Sequence, residues 1–147
     1  MKPFNRMLIF AILVMLFTAC SPKATTTPSI VQAQNPYAPQ ANDAALMRGE
    51  VTIDSASLTL AGTKPERVTL SFAYFPPTPC YQLRVEVSQP DAQNRIDVSA
   101  YGVAEKDKAC TLMALATPLQ ASLDLGSFPQ GHYSLWLNGV QVGEFDA

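Results

Sequence analysis

The sequence is poor in the residues on which most catalytic and metal-binding sites depend. It has one histidine, His132, and three cysteines, and only 15% of its 147 residues are charged. It contains no glycine-rich phosphate loop, nucleophile elbow or zinc-ligand spacing, and a thiol nucleophile needs a positioned base. The sequence therefore predicts no enzyme, no cofactor and no metal site.

Two isolated features bear on this expectation. Asp91, Asn94 and Asp97 place side-chain oxygens within a short stretch, but the stretch lacks the glycine and the terminal glutamate of an EF-hand calcium loop. His132 alternates with Tyr133 along a predicted strand, so we expect it on the surface, opposite a buried tyrosine. Neither feature predicts a site.

Basic clusters and long apolar runs are also missing. Ten Lys and Arg residues stand against 12 Asp and Glu, without a basic patch, which predicts no nucleic-acid partner. The longest apolar run, Met7 to Phe17, is clearly shorter than the roughly 20 residues that a bilayer-spanning helix needs. Lys2 and Arg6 precede this run and small residues follow it, which is typical of a secretory signal peptide.

The end of that segment, Phe17-Thr18-Ala19-Cys20, resembles the lipobox of bacterial lipoproteins, although Phe17 stands where the family usually has leucine. The resemblance implies that residues 1–19 are a lipoprotein signal peptide and that Cys20 carries diacylglycerol and palmitate-type acyl chains. The protein would then be extracytoplasmic, anchored by lipid to the cell membrane or outer membrane. The alternatives are an ordinary signal peptide with a chance cysteine, or an uncleaved anchor.

Residues 20–48 are rich in proline and small polar residues, as in the stretch from Ser21 to Pro28. Such a composition cannot bury enough surface to offset the entropy of ordering, so it predicts a disordered linker behind the lipidated terminus. As a random coil, its first 26 or so residues would span roughly 30 Å.

With Cys20 assigned to the lipid, Cys80 and Cys110 are an even pair in an oxidising compartment. A disulfide is therefore the expectation, and it would close a loop of about 31 residues, worth roughly 3–4 kcal/mol on the chain-entropy model. A catalytic thiol or half of a metal site are the competing interpretations.

Residues 49–147 predict an all-β domain. Apolar and polar residues alternate with the period of a half-buried strand in several segments, and Asn138-Gly139 suits a two-residue hairpin. The first strand changes parity, which predicts a bulge or a switch of sheet near Ser55-Ala56. The stretch from Cys110 to Ala116 fits a short helix or a strand equally well. The alternating segments begin near Arg67, Tyr81, Ile96, Tyr133 and Val140.

Two of these features resemble the immunoglobulin-like domains. Their first strand often passes between sheets, and Gly131-His132-Tyr133, entering the penultimate strand, is similar to their tyrosine corner, where the hydroxyl ties a loop to the strand. The resemblance implies an immunoglobulin-like antiparallel β-sandwich of about seven strands.

Charges on the third and fourth strands predict a register. Pairing Glu86 with Arg95 and Arg84 with Asp97 sets opposite charges across from each other, which is favoured by a few tenths of a kcal/mol. We expect all four side chains on a solvated face.

The loop after the strand that begins near Arg67 offers candidate binding residues. Phe75, Pro76 and Pro77 form a rigid aromatic segment. Trp136 lies on the opposite face of its strand from the buried Tyr133, so it is a candidate platform for a sugar ring. The opposing interpretation is that these residues only pack and turn the chain. The sequence thus predicts a non-catalytic binding module for an envelope protein or polysaccharide. The alternative is a carbohydrate-binding or protease-inhibitor-like module that uses the exposed aromatic loops.

Overall fold

The computed structural model describes residues 35–62, 66–110 and 115–147. The predicted signal peptide, Cys20 and the first part of the linker lie outside these ranges, as do four residues of the stretch from Cys110 to Ala116. Within the described ranges, no helix has the length and apolar character needed to cross a membrane.

The described residues form eight strands and one 3₁₀ turn, Asp43–Ala45. Sheet A contains five strands and sheet B contains β2, β3 and β6, in the order β2-β3-β6. In sheet A, β5 pairs with β4 on one edge, while β1 and β7 share its other edge and β8 follows β7. The strands are β1 Met47–Glu50, β2 Thr52–Ala61, β3 Arg67–Phe75, β4 Gln82–Val87, β5 Arg95–Ala104, β6 Leu119–Gly126, β7 His132–Leu137 and β8 Val140–Asp146.

The prediction of a β-sandwich is confirmed, with eight strands in place of about seven. One pairing, β5 with β7, is parallel, and the other strand pairs are antiparallel. The chain passes from sheet A to sheet B at the buried Val51, between β1 and β2. A bulge follows between Ile53 and Ser55, where the parity change predicted an irregularity.

The inner faces of the two sheets form the core. At one end, the rings of Phe128, Tyr133 and Phe145 lie 5.3 Å apart, centroid to centroid. The Tyr133 hydroxyl donates a hydrogen bond of 3.0 Å to the carbonyl of Pro129, which is the predicted tyrosine corner. The largest fully buried side chains are Phe72, Leu70, Ile96, Leu123, Leu135, Leu137, Val68, Val85 and Val98.

The hairpin between β7 and β8 forms as predicted. Asn138 and Gly139 adopt positive φ angles of 48° and 82°, as a two-residue turn of this kind requires. The Asn138 side chain has a second role, because its amide donates 2.9 Å to the carbonyl of Ala100 and its oxygen accepts 2.7 Å from the Ala100 amide. It thereby continues the pairing of β5 between the end of β7 and the end of β1.

The predicted register between β4 and β5 is wrong. Glu86 lies opposite Ser99 and Arg84 opposite Tyr101, four positions away from the predicted charge pairs. Asp91 explains the longer connection, because its carboxylate accepts backbone hydrogen bonds from Gln93 and Arg95 and so closes a turn there. Exposed charge pairs contribute only tenths of a kcal/mol, too little to override that turn.

Part of the predicted linker is folded. The segment Asn35–Leu46, called here the N-terminal segment, lies against sheet A. The Val85 amide donates 2.8 Å to the carbonyl of Tyr37, and the Asn35 side chain donates 2.8 Å to the carbonyl of Val85. These bonds satisfy backbone groups on the outer edge of β4, so the prediction of disorder does not hold for this segment.

Candidate functional site

The Cys80–Cys110 disulfide is present, as predicted, with its Cα atoms 6.0 Å apart. It joins the loop between β3 and β4 to the chain that follows β5. The Thr78 hydroxyl lies 3.1 Å from the Cys110 sulfur, and the Tyr81 amide donates to the Thr78 carbonyl. The disulfide and the turn together hold residues 76–81, called here the proline-rich loop, against the end of sheet A.

Two glycines form the floor beneath that loop. Gly49 of β1 and Gly102 of β5 are directly paired, and the Tyr81 ring lies against both of them. A Cβ atom on Gly49 would come within 2.9 Å of Pro77, and one on Gly102 within 2.9 Å of the Tyr81 ring. Only glycine permits this approach, which fixes the position of Pro77 and Tyr81.

A cleft of about 250 Å³ opens beside the disulfide. Its walls come from the N-terminal segment, the proline-rich loop, β4 and the end of β5. Its polar lining combines amide and hydroxyl groups with charged side chains. The groups that can both donate and accept hydrogen bonds are those of Gln40, Asn42, Thr78, Tyr81 and Gln82. The charged residues are Arg84, Glu105, Lys106 and Lys108, and Glu105 and Lys108 form an ion pair of 3.6 Å.

An ion pair holds the N-terminal segment at this cleft. The Arg84 guanidinium donates to both carboxylate oxygens of Asp43, at 2.7 and 3.0 Å, and also donates 3.0 Å to the carbonyl of Leu83. The Arg84 side chain is only 6% exposed and that of Asp43 11%. The hydrogen bond from Arg84 lowers the pKa of Asp43, with a further contribution from the Gln40 amide. The Arg84 side chain is therefore buried, and the prediction that it lies on a solvated face is wrong.

The structure places the predicted aromatic residues on different sheets. Trp136 is half-buried on the outer face of sheet A, where the Arg95 guanidinium covers its ring at 4.1 Å. Phe75, also half-buried, ends β3 in sheet B, opposite Thr52. Next to it, Pro76 is half-buried and Pro77 is exposed. Because they lie on different sheets, Phe75 and Trp136 do not form one platform. Neither residue lines the cleft beside the disulfide.

His132 lies on the surface, with Tyr133 buried behind it, as predicted. Its Nδ1 atom is 2.8 Å from the Asp146 carboxylate, and its Nε2 atom is 3.4 Å from that of Glu144. The hydrogen bond to Asp146 raises the pKa of His132, and Glu144 adds to the shift. Both ring nitrogens thus face carboxylates, which is a stable arrangement for a charged imidazolium.

The oxygens that were weighed as calcium ligands have other partners. Asp91 closes the turn before β5, and the Asp97 carboxylate accepts hydrogen bonds from Arg95 at 2.7 to 3.1 Å. Within residues 35–62, 66–110 and 115–147, no group of three or more His, Cys, Asp or Glu residues is arranged to hold a metal ion.

Sequence reasoning missed the residues that build the cleft. Gln40, Asn42 and Asp43 lie in the predicted linker, and nothing in the strand pattern connects them with Arg84. A weak signal was available, since Asp43 follows the last proline of the linker and precedes the apolar Leu46. The composition of the segment concealed it, because its contacts with the sheet depend on residues some 40 to 50 positions away.

Comparison with known proteins gives one result. No curated protein and no solved structure matches the chain. The family model described as the ORF11 beta-sandwich domain matches residues 69–147, from β3 to the end of the chain. This match covers more than half of the sequence and agrees with the two-sheet architecture, so the chain belongs to the family of the ORF11 beta-sandwich domain.

Proposed function

We propose that the protein is an extracytoplasmic lipoprotein, anchored to the cell membrane or outer membrane through Cys20. The resemblance of Phe17-Thr18-Ala19-Cys20 to a lipobox supports this, together with the short apolar run before it. The Cys80–Cys110 disulfide supports it independently, because such bonds persist in oxidising compartments. Two or more acyl chains suffice for stable anchoring without a membrane-spanning helix.

We further propose that the β-sandwich is a non-catalytic binding module. The observation that carries this proposal is the cleft beside the disulfide, whose walls are held by the glycine floor, the disulfide and the Arg84–Asp43 pair. A rigid cleft loses little entropy when a ligand binds. Its amide and hydroxyl groups suit a polar component of the cell envelope.

One feature of the cleft favours a polysaccharide over a protein as the ligand. The lining offers Gln40, Asn42 and Gln82 around the ring of Tyr81. Side-chain amides can both donate and accept, which matches the hydroxyl groups of a sugar, and an aromatic ring packs against its apolar face. Trp136 is a weaker candidate, because it lies outside this cleft on the outer face of sheet A, with Arg95 over its ring.

Anchoring is tested by producing the whole chain in a bacterium and analysing its N-terminal peptide by mass spectrometry. We expect cleavage before Cys20, diacylglycerol on its sulfur, and recovery in the membrane fraction. The Cys20→Ser variant should lose the lipid yet keep the Cys80–Cys110 disulfide. An unmodified Cys20 in a membrane-free wild-type protein would contradict the proposal.

Binding is tested by co-sedimentation of the chain with isolated peptidoglycan, and in parallel with envelope membranes freed of it. Asn42→Ala or Gln82→Ala should weaken binding to the peptidoglycan about tenfold, since each variant loses about one hydrogen bond. Gln120→Ala, an exposed amide on β6 outside the cleft, is the matched control. Retention by the membranes alone, unaffected by the cleft variants, would count against the polysaccharide ligand.

A further inference from the structure

The edges of a β-sheet carry backbone groups that can pair with another strand. Natural proteins protect such edges with charges, proline, bulges or a covering segment. In this domain most of the edge strands are protected in one of these ways. The edge of β4 is covered by the N-terminal segment through Val85, and the short β1 carries Arg48 and Glu50.

The edges of β8 and β6 are protected differently. The register of β8 against β7 shifts at Val142, and Glu144 and Asp146 follow the shift. In β6 the register against β3 shifts near Leu125, and Asp124 forms an ion pair with Arg67. Each of these strands thus combines an irregularity with acidic side chains, which disfavours regular pairing with a further strand.

In the part of the chain that the structure describes, the edge of β2 lacks this protection over most of its length. Among the described strands, β2 pairs only with β3, and its single bulge lies at the start, around Asp54. From Ser55 to Ala61 the register with β3 is regular, and the seven residues Ser-Ala-Ser-Leu-Thr-Leu-Ala contain no charge and no proline. At about 3.4 Å per residue, this edge is roughly 24 Å long.

The inner face of this edge is also incompletely covered. Leu58 reaches across to Gly143 of β8, where a Cβ atom would lie 3.2 Å from it. Leu60 remains 43% exposed, although it alternates with the half-buried Ala56 and Leu58. Val140 of β8, which lines a cleft with the start of β2, is 70% exposed. An added strand beside β2 would bury apolar surface as well as backbone groups.

We propose that the outer edge of β2 is a docking surface for a second copy of this chain, paired antiparallel over Ser55–Ala61. An antiparallel pair centred on Leu58 sets Leu58 opposite its counterpart and Ala56 opposite Leu60 on the inner face. On the outer face Ser57 lies opposite Thr59, a pairing of hydroxyl residues that stabilises antiparallel strands. The two copies join their sheets B into one continuous sheet of six strands.

The charge pattern favours the second copy and this orientation. Antiparallel pairing places the two Asp54 carboxylates at opposite ends of the contact, whereas parallel pairing would bring them side by side. The paired segment itself is uncharged, so it meets no like-charge repulsion from its own copy. The proposal does not depend on the binding module or on the lipid anchor.

The first test is cysteine cross-linking of the full chain in intact cells of the bacterium that produces it. Two differently tagged copies, one with Ser57→Cys and one with Thr59→Cys, are co-expressed and oxidised with copper phenanthroline. We expect a disulfide-linked dimer that carries both tags, because opposite Cβ atoms lie about 4.5–5.5 Å apart. Gln120→Cys with Ser122→Cys, at the exposed outer edge of β6 in the same sheet, is the matched control pair.

A charge exchange distinguishes lost pairing from lost folding. Ser57→Lys/Thr59→Lys and Ser57→Glu/Thr59→Glu chains, purified separately, should each be monomeric by light scattering, since like charges face each other. Mixing them should restore a dimer of one copy of each. A β2 cross-link no stronger than the β6 control, or a cross-link from β2 to a different protein, would overturn the proposal, as would a mixture that stays monomeric.

Discussion

The outer face of sheet A carries two arginine–aromatic pairs whose surroundings differ. At the end of β5, the Arg48 guanidinium lies 3.5 Å from the centre of the Tyr101 ring, and Tyr101 is only 7% exposed. On β7, Arg95 covers Trp136 at 4.1 Å, but the indole remains half-exposed. The same face of one sheet is therefore buried at one end and solvated at the other.

The N-terminal segment accounts for part of the difference. Its Asp43 binds the buried Arg84, and the segment forms one wall of the cleft that Val103 also lines. Arg48 of β1 lies over Tyr101, while Trp136 is half-buried and His132 is exposed. At the buried end, the Tyr101 hydroxyl donates 2.6 Å to Glu86. Because this segment contacts only the β4 side of the sheet, residues with equivalent positions in the strand pattern differ in their contribution to stability.

The largest expected effect comes from truncating the two aromatic residues. Tyr101→Ala removes a buried ring and should lower the free energy of unfolding by about 3–4 kcal/mol, whereas Trp136→Ala should cost about 1 kcal/mol because its ring is half-exposed. Chemical denaturation of the two variants measures both values. Equal losses would mean that the two rings are equally exposed in solution, against the contrast between the two ends of the face.

The two arginines of the comparison provide a second test. Arg84→Met leaves the carboxylate of Asp43 without its partner in a nearly buried position, and should lower Tm by roughly 10 °C. Arg95→Met removes an exposed pair with Asp97 and should leave Tm almost unchanged. Thermal unfolding followed by circular dichroism checks both, and similar losses in the two variants would argue against a special role for the buried end.

Much of the fold could be predicted because its determinants are local. The alternation along β3, the Asn138-Gly139 turn and Tyr133 at its corner depend on residues close in sequence, and each of these predictions is confirmed. The strand β6 was not singled out, although Ala121, Leu123 and Leu125 alternate within it. Its neighbour, the ambiguous stretch after Cys110, hid that pattern.

The candidate site could not be predicted, because it depends on contacts between distant residues. Arg84 looks like a solvated strand residue until Asp43 is placed beside it, some 40 residues earlier in the chain. The register of β4 and β5 failed for a related reason. The decisive interaction was the Asp91 turn, which cross-strand charge matching does not take into account.

A smaller effect is expected when acid protonates Asp43 and weakens its pair with Arg84. Because the hydrogen bond from Arg84 lowers the pKa of Asp43 in the folded state, the stabilisation it provides is present above the unfolded pKa. It is lost as the pH falls through the folded pKa, and the N-terminal segment should then detach first. Hydrogen exchange of the Val85 amide, which donates to Tyr37, reports this directly.

Protection of that amide should fall in acid in the wild type and should already be low at neutral pH in Asp43→Asn. Asp124→Asn is the control, since Asp124 also has a lowered pKa through Arg67 but lies on sheet B, away from the segment. If Val85 keeps its protection in acid while Asp43 is protonated, the ion pair does not hold the segment.

The smallest effect is expected at the solvated end of the face, at His132. It is the single histidine of the chain, so its ring gives one unambiguous signal in an NMR titration. The hydrogen bond to Asp146 raises its pKa more than Glu144 does, so Asp146→Asn should lower the pKa further than Glu144→Gln.

The stabilisation that these two carboxylates give to the charged His132 is present below the unfolded pKa and is lost as the pH rises through the folded pKa. Because solvent screens this exposed site, the free energy of unfolding should change far less as His132 titrates than as Asp43 titrates. A larger change at His132 would reverse the contrast between the two ends of the face.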